Sequence, residues 1–190
     1  AELLRETGLD DDQRDYLGTL QGSAEHLMHL LNSMIDYARL DATTCKAVAR
    51  PFSLRGLIAA LAARHQATVR AKGLELDTGQ DSTLPDILCG DDGRIYAILD
   101  QFLENAIKFT EQGRVSLHAE GGQADAGAWR VRFSVSDTGI GMDHATRDRL
   151  FQPFVVADSS TTRRHAGIGM GLALCGKLAD ILDGHLDVSS

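Results

Sequence analysis

Leu17, Leu20, Ala24, Leu27, Leu31, Met34 and Ala38 recur three and four positions apart, the apolar seam of a long amphipathic helix. Only Gly18 and Gly22 interrupt it, near its start. Residues 9–12 read as the turn that caps this helix, which runs to about residue 40 and is roughly 45 Å long at 1.5 Å per residue. A helix of that length has to pack in a bundle. Residues 1–7 read as the end of a preceding helix stopped at Gly8, so the first 44 residues form a helical hairpin.

The pattern then changes. Residues 42–51 are polar and mixed and read as a linker. Ser53 caps a helix whose apolar face carries Leu54, Leu57, Ile58, Leu61, His65 and Val69, and Gly73 ends it. Leu74 and Leu76 begin a strand. Asp91 and Asp92 open a second helix with apolar residues at Ile95, Ile98, Leu99, Phe102, Ala106 and Phe109. Val115, Leu117 and Ala119 alternate in a strand, residues 121–127 turn, and Trp129, Val131, Phe133 and Val135 alternate in the next. A last helix after Gly167, Gly169 and Gly171 carries Leu172, Leu174, Leu178, Ile181 and Leu182. Residues 186–190 look like a strand just starting. Mixed helices and antiparallel strands predict an α+β fold, a two-layer sandwich with helices on one face, over residues 45–190.

Composition narrows the function. With 190 residues and 43% hydrophobic content the chain can bury a core. A net charge of −8, from 19 basic and 27 acidic residues, argues against a nucleic-acid surface, which has to neutralise phosphates. No apolar run approaches the roughly 18 residues of a membrane span, so no membrane contact is expected. Cys45, Cys89 and Cys175 are odd in number and far apart, which suits reduced thiols in a cytoplasm; a membrane-anchored parent is compatible with that.

The polar residues of the second helix matter most. Gln101, Asn105 and Lys108 are spaced four and three apart along one edge, where an amide and an ammonium in line suit a metal and a phosphate. Asp137 ends a strand, and Gly139 and Gly141 follow it in a loop whose backbone can approach a flat ligand. Gly167, Gly169 and Gly171 precede a helix whose exposed amides favour phosphate. Two other patterns are decoys. The run from Gly171 to Gly176 and Lys177 lacks the Ser or Thr of a P-loop, and the three glycines are not spaced as in a dinucleotide fingerprint.

These pieces together resemble a sensor histidine kinase, the hybrid type included. The matching stretches are residues 105–110 (N box, Asn-Ala-Ile-Lys-Phe-Thr), 137–142 (G1 box), 151–154 (F box, Phe-Gln-Pro-Phe) and 167–172 (G2 box). Residues 32–41 are similar to the end of the second helix of the family's HisKA-type dimerisation and phosphotransfer hairpin. The resemblance implies a GHKL (Bergerat) ATP-binding domain over residues 45–190, short of its last strand, and over 1–44 a partial hairpin that would form a dimeric four-helix bundle. Expected partners are a second copy and a response-regulator receiver domain. The family's phosphorylated histidine belongs to a His-Glu or His-Asp pair on the first helix, and Ala1 begins downstream of that position. His26 and His29 are expected to be solvated or bundle-edge residues instead.

By the same resemblance ATP and Mg²⁺ are the cofactors. Asp137 would accept a hydrogen bond from the adenine amine and repel a guanine carbonyl; Gly139, Gly141 and Met142 would shape the loop beside the base. Asn105 would hold Mg²⁺, with Gln101 as a second candidate, and Lys108 would neutralise phosphate, with Phe109 packing beside the base. Gly167, Gly169, Gly171 and Leu172 would line the nucleotide. Residues 143–166 would be a lid anchored by Phe151 and Phe154, with Thr162, Arg163 and Arg164 over the phosphates. Where the hydrolytic GHKL enzymes carry a glutamate that activates water, this chain carries Gln101, and an amide is no general base. That favours transfer to a histidine over two alternatives, a GHKL ATPase and a regulatory nucleotide-binding module without phosphotransfer.

Overall fold

The computed structural model of the chain describes residues 9–42, 46–124, 127–153, 155 and 169–190. The expected helix over 1–7, Gly8, Cys45, Phe154, Thr162, Arg163, Arg164 and Gly167 lie outside the described residues. The chain divides into two compact units, Ala1–Thr44 and Cys45–Ser190.

The first unit contains α1 (Asp11–Ala42). Its 32 residues span about 48 Å. A reciprocal cap starts it: the Gln13 amide donates to Asp10 Oδ1 (2.8 Å), and the Asp10 amide donates to Gln13 Oε1 (3.2 Å). Leu17 on the predicted seam is buried, whereas Leu20, Leu31 and Met34 stand exposed.

The second unit is built from β1 (Arg50–Ser53), α2 (Leu54–Lys72), β2 (Glu75–Gln80), β3 (Ile87–Gly90), α3 (Asp92–Phe109), β4 (Arg114–Gln123), β5 (Trp129–Asp137), the one-turn helix α4 (His144–Arg147) and α5 (Gly171–Ile181). Ser53 caps α2 by accepting from the Gly56 amide (2.9 Å), and Gly73 closes it in the left-handed region at φ 67°. All six residues predicted for its apolar face are buried. Its buried His65 lies with Nε2 2.8 Å from Asp100 Oδ1 of α3.

The strands form two sheets, β1 with β3 and β2-β4-β5. Two expectations need correction. The stretch read as linker runs at Arg50 and Pro51 into β1, which pairs antiparallel with β3, Pro51 opposite Cys89; a four-residue strand whose first half is exposed has too little alternation to show itself. The sheet is mixed, not antiparallel, because β2 runs parallel to β4, Leu76 beside Val115. The connection between them includes β3 and α3, the long crossover a parallel pair requires.

Val115, Leu117 and Ala119 of β4 are fully buried, and Trp129, Val131, Phe133 and Val135 of β5 pack against the same core, which α2 and α3 cover. The turn expected from residue 121 begins later, since Gly121 still pairs with Val131. A side chain at Gly121 would meet the Arg130 carbonyl at 2.1 Å, so the glycine permits the close pairing. On α3 the core-facing residues are Ile98, Leu99, Leu103, Ala106 and Ile107; Phe102 and Phe109, predicted for that face, are half-buried. On α5 Ala173, Cys175, Leu178 and Ala179 face the core, while Leu172 and Leu174 are half-buried. Small residues let α5 approach α3 closely, which a count of leucines does not foretell. Residues 184–190 form no strand. Among the described residues no helix is long and apolar enough to cross a membrane.

Candidate functional site

Helix α3 carries the central residues and is fixed at both ends. At its start Asp91 Oδ1 accepts from the Arg94 amide (3.1 Å) and Oδ2 from the Val48 amide (2.9 Å), with the Arg94 guanidinium against the same carboxylate. Burial works against ionisation of Asp91, but these hydrogen bonds and the Arg94 charge prevail and hold its pKa below the usual aspartate value. At the other end Thr110 is fully buried, and its hydroxyl donates to the Ala106 carbonyl at 2.7 Å.

The loop after β5 is held from below. Thr138 Oγ1 accepts from the Arg114 amide (3.1 Å) and lies 3.3 Å from the Gln112 carbonyl. It also closes on Gly113, whose φ of 108° suits only glycine. Asp137 is exposed, and its Oδ1 accepts from the Gly139 amide at 2.8 Å, so the carboxylate orders its own turn while facing outward. Gly139 abuts the end of α3: a Cβ there would lie 2.6 Å from the Phe109 carbonyl oxygen. Gly141 takes φ 68°, exposed Ile140 precedes it, and the Met142 amide donates to Ser190 Oγ (2.7 Å).

The glycine-rich start of α5 meets the same helix. A Cβ at Gly171 would fall 2.3 Å from Gln101 Oε1, and at Gly169, with φ 71°, 2.3 Å from the Val155 carbonyl oxygen. Met170 is the N-cap residue and makes no side-chain cap bond, so the first-turn amides of α5 are not claimed by a capping side chain. Cys175 behind them is buried near the Ile98 carbonyl, and burial pushes its thiol pKa up to about 12. Phe151 packs near Gly176 of α5, 3.8 Å from where its Cβ would be.

One edge of α3 therefore has a glycine at each end, Gly171 against Gln101 and Gly139 against Phe109, eight residues or about 12 Å apart. Asn105, half-buried, lies midway along that edge. Lys108 is half-buried with Nζ 5.3 Å from the Phe109 ring centroid; burial lowers its pKa, and the Glu104 charge partly offsets this. The arrangement joins closely packed glycine loops, an outward carboxylate, an amide and a desolvated ammonium, which suits a ligand with a flat base and an anionic tail. Carboxylates near this edge have other roles. Asp100 takes Arg64 Nε (2.8 Å) and His65, and Glu104 is exposed. Sequence reasoning missed Thr110 and Thr138 as supports; a threonine inside each box, last in 105–110 and second in 137–142, was the available signal.

Comparison with known proteins bears on the family and the fold. The family described as histidine kinase-, DNA gyrase B- and HSP90-like ATPase matches residues 90–190, and the His Kinase A (phospho-acceptor) domain matches residues 1–43. The autoinducer 2 sensor kinase/phosphatase LuxQ of Vibrio cholerae is 37% identical over 190 residues, all of this chain and 22% of that protein. The sensory/regulatory protein RpfC of Xanthomonas campestris is 36% identical over 188 residues, 98% of this chain and 26% of that protein. The chain thus spans about a quarter or less of the length of these relatives. Among solved structures, full-length ShkA in complex with AMPPNP superposes with a TM-score of 0.76 at 36% identity, over 95% of this chain and 36% of that one. The catalytic domain of histidine kinase ThkA shares the fold, with a TM-score of 0.58 at 24% identity over 71% of this chain and 82% of that one.

Proposed function

The chain belongs to the family of histidine kinase-, DNA gyrase B- and HSP90-like ATPases, and from that membership we propose that its second unit binds Mg-ATP as the catalytic core of a two-component sensor histidine kinase. In the whole protein the γ-phosphoryl passes to a protein histidine and then to an aspartate of a receiver domain. The observation that carries this reading is the close packing of two glycines, Gly139 and Gly171, against the α3 edge bearing Asn105, which brings the loop after β5 and the start of α5 to that edge. The AMPPNP complex of ShkA supports the choice of an adenine nucleotide.

The residues fit that ligand. Gly139 lets its loop close on the Phe109 backbone and Gly171 lets the start of α5 close on the Gln101 side chain, Asp137 is exposed at the base end, and the first-turn amides of α5, which no capping side chain claims, are donors for the anionic end. Asp137 accepts the adenine amine, and Gly141 and Met142 complete the loop beside it. Lys108 regains at a phosphate the charge stabilisation that burial removed, and Phe109 packs beside the base. Asn105 supplies a side-chain oxygen to Mg²⁺, with Gln101 as second candidate. Among the described residues no three His, Cys, Asp or Glu converge on a metal, so an ion here takes most ligands from phosphates and water, as Mg²⁺ does. The bound ion would screen phosphate charge. Positioning and electrostatics carry the transfer.

Phe151 and Phe154 anchor the lid in this reading, and Thr162, Arg163 and Arg164 act on the phosphates beside Gly167, Gly169 and Leu172. Residues 1–44 form the dimerising unit. The exposed Leu20, Leu31 and Met34 of α1 supply the apolar stripe that a second copy would cover. None of the seven histidines, His26 and His29 included, is followed by Asp or Glu. The 190-residue chain is therefore expected to bind nucleotide without labelling itself.

Calorimetry tests the reading. The chain should bind ADP and ATP with Mg²⁺ and discriminate against GTP. Asp137→Ala should remove the discrimination, and Asn105→Ala should remove the Mg²⁺ dependence. Unchanged ADP affinity in Asp137→Ala, or steady phosphate release that depends on Asn105, would overturn the assignment.

A further inference from the structure

A helix end leaves its last four carbonyls without intrahelical partners, and at the end of α3 each has a neighbour. Ala106 O accepts from both the amide (3.1 Å) and the hydroxyl (2.7 Å) of Thr110. Ile107 O and Lys108 O accept from Nζ of Lys72, at 2.7 and 3.0 Å, and the same ammonium reaches Thr110 O at 3.3 Å. Phe109 O, which Lys72 passes over, abuts Gly139. An ammonium has three donors, and here three carbonyls take them, so Lys72 has none left for a phosphate. Its charge also sits at the negative end of the α3 dipole.

We infer that Lys72 is a positioning residue for nucleotide binding: from the last turn of α2 it clamps the end of α3, and so sets where Phe109 meets the Asp137–Gly139 loop. The inference rests on the nucleotide reading above. Lys108 is positioned by the same bond, because its own carbonyl is one of the three captured. Without the clamp the last turn of α3 loses three charge-assisted bonds, Phe109 O no longer holds a fixed place under Gly139, and the base end of the site loosens. The core of α2, which Leu61 and Ile58 anchor, does not depend on it.

The test uses the full 190-residue chain with Lys72→Met and the milder Lys72→Gln, which carries the comparison should the first not fold. A core variant on the same helix, Ile58→Val or Leu61→Ala, is chosen to match its melting temperature. ADP affinity should fall about tenfold in the Lys72 variants, equivalent to about 1.4 kcal/mol, and stay near wild type in the matched core variant. Amide exchange should accelerate at Thr110 and Gly139 in the Lys72 variants beyond the uniform rise that lost stability alone produces. Wild-type ADP affinity in a folded Lys72→Gln chain would overturn the inference and leave the nucleotide reading standing. A wild-type chain that does not bind ADP would overturn both.

Discussion

Gly139→Ala probes the packing on which the site depends. The added Cβ would lie 2.6 Å from the Phe109 carbonyl oxygen, 3.0 Å from its carbon and 2.8 Å from Asp137 Oδ1. No side-chain rotation relieves the first two, because both atoms are backbone. The end of α3 cannot readily give way either, with the carbonyls of Ile107, Lys108 and Thr110 held by Lys72. The exposed 137–141 loop must move, taking Asp137 with it. Overpacking of this kind costs about 1–3 kcal/mol, or roughly 3–10 °C of melting temperature for a chain of this size. A displaced Asp137 would forfeit a hydrogen bond worth about 1.5–3 kcal/mol, so ADP affinity should fall by about ten- to a hundredfold. Differential scanning calorimetry and titration calorimetry measure the two effects. Gly122→Ala, where an added Cβ meets nothing within 4 Å, is the control and should alter neither. Should Gly139→Ala melt and bind ADP as the wild type does, the contact between the Asp137 loop and α3 does not organise the site.

Three further outcomes are expected. Burial depresses the pKa of Lys108 below its unfolded value, so its charge costs stability at neutral pH and the cost is relieved as pH rises toward 10.5. Lys108→Met should thus stabilise the nucleotide-free chain at pH 7, remove that rise and weaken ADP binding; a less stable variant would contradict this. Iodoacetamide at pH 8 should modify exposed Cys89 and spare Cys175, whose thiol burial holds at a pKa of about 12, and peptide mapping that finds native Cys175 modified would refute its burial. Ser53→Ala removes the cap of α2 and the hydroxyl contact to Asp86 and should cost about 1 kcal/mol or slightly more, read as a drop in melting temperature; an unchanged melt would show the cap to be idle.

The sequence by itself determined what local chemistry decides. The cap at Ser53, the left-handed end at Gly73, the buried face of α2 and the alternation of β4 and β5 each follow from a few neighbouring residues, and each stands where the pattern predicts. The polar edge of α3 was legible for the same reason, since spacings of four and three leave Gln101, Asn105 and Lys108 little choice of side. Tertiary structure alone decided what depends on distant partners. The parallel pairing of β2 with β4 rests on a crossover, β1 exists only because β3 lies beside it, and Leu103 displaces Phe102 from the core because of what α3 packs against. Gly139 and Gly171 read as glycines that let backbone approach a ligand, yet each packs against a helix far away in the chain, Gly139 on the Phe109 backbone at the end of α3 and Gly171 on the Gln101 side chain in its middle. Nothing in the sequence around Lys72 sets it apart, and only the arrival of three carbonyls some 35 residues downstream gives it a task.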